Sequence, residues 1–270
     1  MTKSFKDRYG GYAIVVGASA GIGEALAREI ASRGVNLVLV ARRREKLEVL
    51  ARDLKEEFGV EARSVPLDLL ADDAIDRLVA GVANLEIGLL VINAAAVLAG
   101  GFLKNSYDRE SDLVKLNTLM PARIVHRIGN QIKLRGHGGI LFVSSLAGNS
   151  PTPYQASYAA TKAYLSSFGQ ALAFELATDG IDVSVVAPGA TDTEGLKATA
   201  NIDYSKMKGL SFMSPADVSK AALDNLGRRT YIVPGAKNRM SAFILSLLPR
   251  GVAVRTVGKI TAAAMDPAAL

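Results

Sequence analysis

Short apolar runs alternate with amphipathic helical patterns along most of this chain. The runs hold few polar residues, as expected of strands whose two faces are both covered by other elements. This alternation predicts an α/β fold built on a doubly wound parallel sheet, with crossover helices on both faces. The predicted strands are Tyr12–Val16, Asn36–Ala41, Ala62–Leu67, Leu89–Asn93, Gly139–Ser144, Asp182–Ala187 and Thr230–Val233. The helical patterns between them include Gly23–Ser32, Arg44–Phe58, Ala71–Ala83 and a long one over Asp108–Leu134.

Length and composition limit what the chain can hold. With 270 residues it can form one α/β domain with a large core, two small domains being the alternative. It has no cysteine, which removes disulfides and thiolate catalysis and suits a cytoplasmic protein. The polar start Met1–Gly11 leaves no room for a secretory signal, and no apolar stretch is long enough to cross a bilayer. His126 and His137 have no carboxylates at ligand spacing, so no metal site is expected.

The net charge of +6 invites a nucleic-acid interpretation. Most Lys and Arg, however, stand among Asp and Glu, as in residues 52–57. This mixture is typical of solvated helix faces, so nucleic acid is not an expected partner. One basic cluster, Arg42-Arg43-Arg44, stands apart.

A glycine-rich turn follows the first predicted strand and opens a helix. Gly17 allows a tight turn, Gly21 lets the backbone approach a pyrophosphate, and Gly23 lets the helix pack closely on the sheet. The helix N-terminus adds unpaired N–H groups and partial positive charge. A purely structural turn would also need these glycines, but their position between a strand and a helix favours dinucleotide binding.

The end of the second strand indicates which dinucleotide is bound. A free ribose 2′-hydroxyl usually meets Asp or Glu there, whereas a 2′-phosphate requires Arg. This chain has Arg42 and Arg43 at that place and no acid before Glu45. Arginine keeps its charge and binds phosphate in a forked geometry. The sequence therefore predicts NADPH or NADP+ rather than NADH, with Arg42 as the first candidate and Arg43 as the second, unless both only solvate the helix start.

A tyrosine and a lysine lie one helical turn apart, at Tyr158 and Lys162. Their helix is expected to begin near Pro153, with Thr152 as its N-cap, and to end at Asp179-Gly180. A phenol has a pKa of about 10, and a nearby ammonium favours the phenolate and lowers that pKa. Tyr158 is thus a candidate general acid or base. The same spacing also occurs by chance in surface helices.

Two serines stand at the carboxyl end of the fifth predicted strand. In parallel sheets these ends face the ligand crevice. A hydroxyl there can donate to a carbonyl oxygen as negative charge develops on it. Ser145 suits this role, whereas Ser144 fits better as a residue that only caps the strand end.

Together these motifs resemble the classical short-chain dehydrogenase/reductase family. The resemblance covers about residues 10–235 and rests on the order and spacing of Gly17-xxx-Gly21-Ile22-Gly23, Asn93-Ala94, Asn117, Ser145, Tyr158-xxx-Lys162 and Pro188-Gly189. It implies a Rossmann-type sheet of seven strands and hydride transfer between a nicotinamide and a carbonyl carbon. Within a single domain over 1–270, the irregular stretch 195–213 is typical of a substrate lid, and 236–270 of a C-terminal helical extension.

The resemblance implies a catalytic role for four residues. Tyr158 protonates the forming alkoxide, while Lys162 lowers the pKa of the phenol and holds the nicotinamide ribose. Ser145 orients the carbonyl. Asn117 completes a water relay to Lys162.

It also implies a set of cofactor contacts. Asp68-Leu69 stands beside the adenine, Asn93 beside the adenosine ribose, and Thr193 at the nicotinamide carboxamide. The full set is Gly17, Ser19, Gly21, Ile22, Gly23, Arg42, Arg43, Asp68, Leu69, Asn93, Ala94, Tyr158, Lys162, Pro188, Gly189, Thr191 and Thr193.

Two places depart from the family's usual pattern. Val16 stands where Thr is frequent, and Ile92-Asn93-Ala94-Ala95 stands where Asn-Asn-Ala-Gly is frequent. Val16 and Ile92 are expected on adjacent central strands. We hypothesise that an apolar contact replaces a polar one there, because leaving one buried partner unpaired is costly. Ala95 bears on how closely the cofactor approaches the backbone.

The sequence leaves the substrate open. Apolar residues of the lid and of the run 151–154 either line a pocket or belong to the ordinary core. The lid residues concerned are Leu196, Tyr204, Met207, Leu210, Phe212 and Met213. A pocket of this kind favours a lipophilic ketone or aldehyde, a steroid-like or a 3-oxoacyl substrate. The alternatives are a non-catalytic NADPH-binding sensor and an epimerase or dehydratase; the joint presence of Ser145, Tyr158 and Lys162 favours an enzyme over the sensor.

Two segments bear on assembly. The run 243–250, followed by Arg255 and Lys259, can cover the pocket, join subunits or lie on a membrane surface, the last not being favoured. The helix over Tyr154–Thr178 is rich in small residues. The resemblance implies a homodimer or homotetramer built on this helix and on the one around Asn117.

Overall fold

Each predicted apolar run forms a strand, and the strands join in one parallel sheet. The computed structural model describes residues 4–207 and 210–270. The order across the sheet, β3-β2-β1-β4-β5-β6-β7, is that of a doubly wound Rossmann-type fold, so the predicted fold class is confirmed. The strands are β1 (Tyr12–Val16), β2 (Asn36–Ala41), β3 (Ala62–Pro66), β4 (Ile87–Ile92), β5 (Gly138–Val143), β6 (Ile181–Val186) and β7 (Tyr231–Ile232).

Helices cover both faces of this sheet. The side chains of α2, α3 and α9 form the core on one face, and those of α4, α6 and α7 form the core on the other. In chain order the helices are α1 (Phe5–Tyr9), α2 (Gly21–Ser32), α3 (Arg44–Phe58), α4 (Ala74–Val82), α5 (Tyr107–Val114), α6 (Met120–Arg135), α7 (Ala156–Glu175), α8 (Glu194–Lys197), α9 (Pro215–Asn225), α10 (Ala236–Leu247) and α11 (Arg250–Ala264).

Side chains alternate between the two cores along each strand. In β1, Val15 belongs to the core under α2 and α3, whereas Ile14 and Val16 belong to the core under α4 and α6. All three are buried because both faces of the sheet are covered, which explains why the central strands are largely apolar. Val16 is paired in register with Ile92 of β4, and both are buried. The apolar contact that we hypothesised therefore lies between adjacent central strands.

The carboxyl ends of the central strands meet at one edge, where the strand order reverses between β1 and β4. Backbone hydrogen bonds hold the loops that leave this edge. Ala94 N–H donates to Val16 O at 2.8 Å, and Ser144 N–H donates to Val186 O at 2.8 Å. Parallel α/β sheets bind ligands at such a switch point.

Helix α7 begins at Ala156, not near Pro153 as predicted. Tyr154 has a left-handed backbone conformation with φ of +66°, and an α-helix cannot pass through it. Thr152 does not cap the helix, because its hydroxyl donates to the carbonyls of residues 147 and 150. The predicted cap and first turn were therefore wrong.

The predicted helix over Asp108–Leu134 is divided into α5 and α6. A π-helical turn at Lys115–Leu119 separates them, and it contains Asn117. Such turns add a residue to one turn of a helix and are frequent at functional sites. The continuous 3.6-residue pattern of the sequence gave no sign of this insertion.

The stretch 195–213 is more regular than predicted. The short helix α8 overlaps its start, and a 3-10 turn occupies Tyr204–Lys206. Met213 lies in the core against α9 and forms a parallel bridge with Thr191. Lys208 and Gly209 lie outside the described residues.

The extension at 236–270 consists of α10, α11 and a final 3-10 turn. The end of α11 is bonded to the 195–213 stretch, since Asp203 N–H donates to Ala264 O at 2.9 Å and Asp266 N–H donates to Asn201 O at 2.9 Å. The turn after it reaches the loop that follows β4, where Gly101 N–H donates to Ala269 O at 2.8 Å. Neither these helices nor any other within residues 4–207 and 210–270 has the length and apolar character needed to cross a membrane.

Candidate active site

The glycine-rich turn joins β1 to α2 at the switch point. Gly17 has a φ of +88°, and a Cβ there would lie 2.7 Å from backbone atoms of Ala94. Gly21 has a φ of +59°, and a Cβ there would lie 2.9 Å from Thr193 Cγ2. Glycine at these two positions lets the backbone adopt this turn and lets neighbouring loops approach it closely.

Gly23 packs against the turn itself. A Cβ there would lie 2.0 Å from Gly17 O and 2.5 Å from the side-chain nitrogen of Asn93. That nitrogen donates to Gly17 O at 2.9 Å, so Asn93 braces the turn from the loop after β4. The packing role assigned to Gly23 thus has a concrete geometric basis.

Gly23→Ala is expected to destabilise the protein by about 1–3 kcal/mol or more, because the added methyl meets backbone that cannot yield. Gly81→Ala in α4 is the matched control, since nothing lies within 4 Å of its Cβ. That helical substitution should stabilise the protein by about 0.5–1 kcal/mol. Urea denaturation measures both variants, and equal midpoints would contradict the packing described for Gly23.

Lys162 is buried in α7, with 3% of its surface exposed. Its Nζ donates to Val143 O at the end of β5 (2.9 Å) and lies 5.8 Å from the centroid of the Tyr158 ring. Burial lowers the pKa of Lys162 to about 8, because the ammonium loses its hydration. No carboxylate within the described residues pairs with this ammonium.

Tyr158 lies one helical turn before Lys162, as predicted. Burial raises the pKa of Tyr158 to about 12, and a hydrogen bond with the Ser145 side chain partly opposes this rise. The expected lowering of the phenol pKa by the ammonium is not found in the protein alone, because Lys162 Nζ is directed at Val143 O. The phenol is therefore protonated at neutral pH and can donate a proton.

The two serines after β5 have different environments. Ser144 is buried, and its hydroxyl donates to Lys162 O at 2.7 Å and bonds Ser166 Oγ at 2.8 Å. Ser145 begins the 3-10 turn at Leu146–Asn149, where its Oγ accepts from Ala147 N–H at 3.1 Å. Ser144 thus fastens the strand to α7, and Ser145 faces the phenol.

Asn117 is fully buried in the π-helical turn. Its side chain accepts from Ala96 N–H at 2.8 Å and donates to Ala96 O at 2.9 Å and to Thr161 Oγ1 at 3.1 Å. Thr161 in turn donates to Tyr158 O at 2.8 Å. Asn117 therefore ties the loop after β4 to the turn of α7 that carries the Tyr–Lys pair.

A cavity of about 380 Å³ opens at the carboxyl ends of the strands. It brings together many of the predicted site residues, while Gly17, Gly23 and Asn117 support its walls from behind. The predicted residues that line it are Gly21, Ile22, Asn93, Ser145, Tyr158, Lys162, Pro188, Gly189, Thr191 and Thr193. Thr193 also caps α8, where its Oγ1 accepts from Leu196 N–H at 3.1 Å.

Several residues that line this cavity were not predicted from the sequence. Arg109, exposed in the first turns of α5, brings a positive charge to its edge. Val97 and Thr199 also line it, whereas Leu196 alone of the six proposed lid residues does so within the described part of the chain. Nothing in the spacing around Arg109 pointed to this position, because the loop before α5 sets its direction.

At the end of β2, the structure brings Arg43 rather than Arg42 to the glycine turn. The Arg43 guanidinium donates to Ser19 Oγ at 3.0 Å and to Ser19 O at 3.3 Å. Arg43 and Lys46 both contact the Glu194 carboxylate, and the hydrogen bond from Lys46 is the main cause that lowers the pKa of Glu194. Arg42 is exposed and has no side-chain bond among the described contacts. The cluster keeps a net positive charge beside the turn.

Asp68 and Leu69 follow β3, the neighbour of the strand β2 that leads into the arginine cluster. Leu69 is buried, and Asp68 is exposed with its Oδ1 accepting from Leu70 N–H at 3.1 Å. Neither residue lines the main cavity. Their predicted contact with the adenine stays a prediction.

A protonated phenol, a buried ammonium and a glycine-rich turn at the switch point of a doubly wound sheet define a class of protein. Such a site belongs to the nucleotide-dependent oxidoreductases that act on alcohol and carbonyl groups.

Comparison with known proteins agrees with this class. Residues 11–202 match the family model described as short chain dehydrogenase. The chain is 32% identical to the 7beta-hydroxysteroid dehydrogenase of Clostridium sardiniense over 257 residues, which cover 95% of this chain and 98% of that one. The chain therefore belongs to the short chain dehydrogenase family and is an NAD(P)-dependent oxidoreductase.

Solved structures support the same assignment. A 7beta-hydroxysteroid dehydrogenase structure superposes with a TM-score of 0.87 at 26% identity, covering 94% of this chain and 99% of that one. A short-chain dehydrogenase from Sphingobium yanoikuyae, solved in complex with NADPH, superposes with a TM-score of 0.76 at 29% identity and covers 89% and 97% of the two chains.

Proposed function

We propose that the protein is an NADPH-dependent carbonyl reductase of lipophilic ketones or aldehydes, or oxidises the matching alcohols, with Tyr158 as the proton-transferring residue. The observation that carries this proposal is that Ser145, Tyr158 and Lys162 line one cavity together with the glycine turn. A site that only bound the nucleotide would need Lys162 for the ribose but would have no need of Ser145 and Tyr158 there.

The residues of this chain fit a dinucleotide. Helix α2 begins at the glycine turn with no side-chain cap, so its first N–H groups are available to phosphate. The buried ammonium of Lys162 bonds a single carbonyl among the described groups, which leaves N–H donors for ribose hydroxyls. When bound, the nicotinamide ring supplies or accepts the hydride at the substrate carbon.

The protein residues supply the rest of the reaction. The Tyr158 phenol donates its proton to the carbonyl oxygen during reduction, and Ser145 donates a hydrogen bond to the same oxygen. The Lys162 ammonium, 5.8 Å from the centroid of the Tyr158 ring, supplies positive charge beside the phenolate that this transfer leaves, although it does not lower the pKa of the phenol in the protein alone. Asn117 acts as a positioning residue through Ala96 and Thr161. The water relay from Asn117 to Lys162 stays a prediction from the family resemblance.

NADPH is favoured over NADH by the positive cluster at the end of β2. Arg43 lies against Ser19 of the turn, so its guanidinium is placed to bind a 2′-phosphate. The Sphingobium yanoikuyae relative, solved with NADPH, supports this choice. Because the turn holds Arg43 in place and leaves Arg42 free, we assign the larger part to Arg43.

Arg43→Asp is expected to lower the ratio of kcat/KM for NADPH to that for NADH by roughly ten- to hundredfold, because a charge-assisted hydrogen bond contributes about 1.5–3 kcal/mol. Arg42→Asp introduces the same change of charge one residue away and should have a smaller effect. Steady-state rates with both cofactors at one ionic strength measure this. A larger effect of Arg42→Asp would indicate that Arg42, and not Arg43, is the main contact of the 2′-phosphate.

The substrate class is proposed from the lining of the cavity and from the relatives. Apart from the catalytic side chains, much of the lining is apolar, for example Val97, Leu196 and Ala198. The hydroxysteroid dehydrogenase relatives support a bulky lipophilic substrate. The test is NADPH consumption across aldehydes, steroid ketones and 3-oxoacyl thioesters. Turnover confined to small polar aldehydes would overturn the proposed substrate class.

We also propose a homodimer or homotetramer. Large apolar side chains are exposed on the helices for which the resemblance implies an interface: Phe174 on α7 is 88% exposed, and Tyr107 on α5 is 83% exposed. Exposed apolar residues of this size are typical of contact surfaces. Sedimentation velocity on the wild type and on Phe174→Ser tests the assignment.

A further inference from the structure

The positive charge of this chain is concentrated in one segment. Residues 225–265 contain seven Lys and Arg and neither Asp nor Glu. The whole chain has 32 basic and 26 acidic residues, so the rest of the chain contains 25 basic and 26 acidic residues and is close to neutral. Apart from Arg42-Arg43-Arg44, most basic residues elsewhere in the chain stand among Asp and Glu, whereas those of this segment do not.

Helix α10 carries an uncovered apolar row within this segment. Met240, Phe243, Ile244 and Leu247 are 59%, 60%, 54% and 67% exposed, and their spacing places them on one side of the helix. The opposite side of α10, with Ala242, Leu245 and Leu248, is half-buried against the fold. The helix therefore has its own packing face and a second apolar face toward solvent.

Five cations stand on α10, which carries this row, and on α11, which follows it. They are Lys237, Arg239, Arg250, Arg255 and Lys259, all of them exposed. None of the five takes part in an ion pair of the described residues. An apolar row beside unpaired cations matches a surface that offers acyl chains below a layer of negative charge.

We propose that α10 and the start of α11 dock the protein on an anionic phospholipid surface, with Phe243 and Leu247 inserted and Lys237 and Arg239 against headgroups. A second copy of this chain fits less well, because a twofold contact brings the same cations of both copies together. Nucleic acid fits less well, because protein–nucleic acid interfaces are polar and would not bury the apolar side chains of Phe243 and Ile244. The proposal does not depend on the proposed substrate.

The chain contains no tryptophan, which allows a direct test. Phe243→Trp places a single reporter in the row, and Leu134→Trp places one at a 90% exposed site on α6 as the matched control. With vesicles of phosphatidylcholine and phosphatidylglycerol, emission of the first variant should shift to shorter wavelength and be quenched by brominated acyl chains. Leu134→Trp should show neither change, and vesicles of phosphatidylcholine alone should shift neither protein.

Two further variants separate the apolar and electrostatic contributions. Lys237→Gln with Arg239→Gln should weaken vesicle partitioning roughly thirtyfold, since each cation near an anionic surface contributes about a factor of five. Lys55→Gln with Arg77→Gln removes equal charge from α3 and α4 and should have little effect. Phe243→Ser with Leu247→Ser should abolish binding.

Three results would overturn the proposal. One is that the wild-type protein does not sediment with anionic vesicles. Another is that vesicle binding persists undiminished in Phe243→Ser with Leu247→Ser. This result would indicate attraction between charges alone, without insertion of the apolar row. The third is that this double variant dissociates an oligomer that does not bind vesicles, which would make the row a subunit interface. Far-UV circular dichroism of each variant checks that it is folded.

Discussion

Tyr158→Phe is expected to lower ketone reduction by roughly a thousandfold or more while leaving NADPH binding intact. The substitution removes only the hydroxyl that donates the proton, and general acid catalysis by a positioned group contributes about 10²–10⁴-fold. The ring and its contacts remain, so the fold should persist. Stopped-flow reduction and NADPH fluorescence titration measure the two quantities separately.

Tyr164→Phe is the matched control on the same helix. Tyr164 is 39% exposed and stacks on Phe168, with ring centroids 5.5 Å apart, away from the cavity. Its loss should leave kcat near the wild-type value. If Tyr158→Phe kept its activity, the catalytic interpretation would be wrong. If the wild type bound NADPH but reduced nothing in the panel, the alternative of a nucleotide-binding sensor would be favoured.

The pH profile adds a second check on Tyr158. Because burial raises the pKa of this phenol to about 12, it is in the donating form throughout the neutral range. Reduction should therefore change little between pH 6 and 8, whereas alcohol oxidation, which requires the phenolate, should rise with pH. The rise of alcohol oxidation with pH should disappear in Tyr158→Phe.

Lys162→Met is expected to abolish turnover and at the same time to stabilise the cofactor-free protein by about 2 kcal/mol at pH 7. A pKa near 8 in the folded state, against about 10.5 when unfolded, means that holding the ammonium in the core costs about 3 kcal/mol. Methionine removes this cost. Losing the hydrogen bond to Val143 O destabilises the variant by roughly 1 kcal/mol, which leaves the net gain of about 2 kcal/mol.

The sign of the pH dependence tests this account. Because the folded pKa is depressed, the unfolded chain binds more protons between pH 8 and pH 10.5, and wild-type stability rises over that range. The advantage of Lys162→Met should be largest below pH 8 and fade toward pH 10.5. Urea midpoints at several pH values measure it, with Lys55→Met, an exposed site on α3, as the control. A variant less stable than wild type at pH 7 would contradict the buried, unpaired charge.

The sheet was predictable because its strands are buried on both faces. A run such as that of β1 is apolar after Tyr12, and its last four residues are all buried because both faces of the sheet are covered. The glycine turn and the Tyr–Lys spacing were equally local, so their positions followed from the sequence. The start of α7 could not be predicted in this way, because nothing about a tyrosine residue requires the left-handed backbone conformation that Tyr154 adopts.

The parts of the site that were not predicted depend on the direction in which tertiary structure turns a loop or a side chain. Which of Arg42 and Arg43 reaches the turn depends on how the chain enters α3, and the cavity contact of Arg109 depends on the loop after β4. The acid-free stretch 225–265 is different: it is visible in the sequence, but the average over the whole chain conceals it. Counting charge segment by segment would have revealed it.

The final turns of the chain fasten two loops that flank the catalytic cavity, one at Asn201–Asp203 and one at Gly101. The residues that make these bonds do not themselves line the cavity, yet they hold the loops beside it. Substitutions near Ala264 or Ala269 should therefore displace these loops and change which substrates the cavity accepts. Tyr158 and Lys162, which α7 and the end of β5 hold separately, should stay in place.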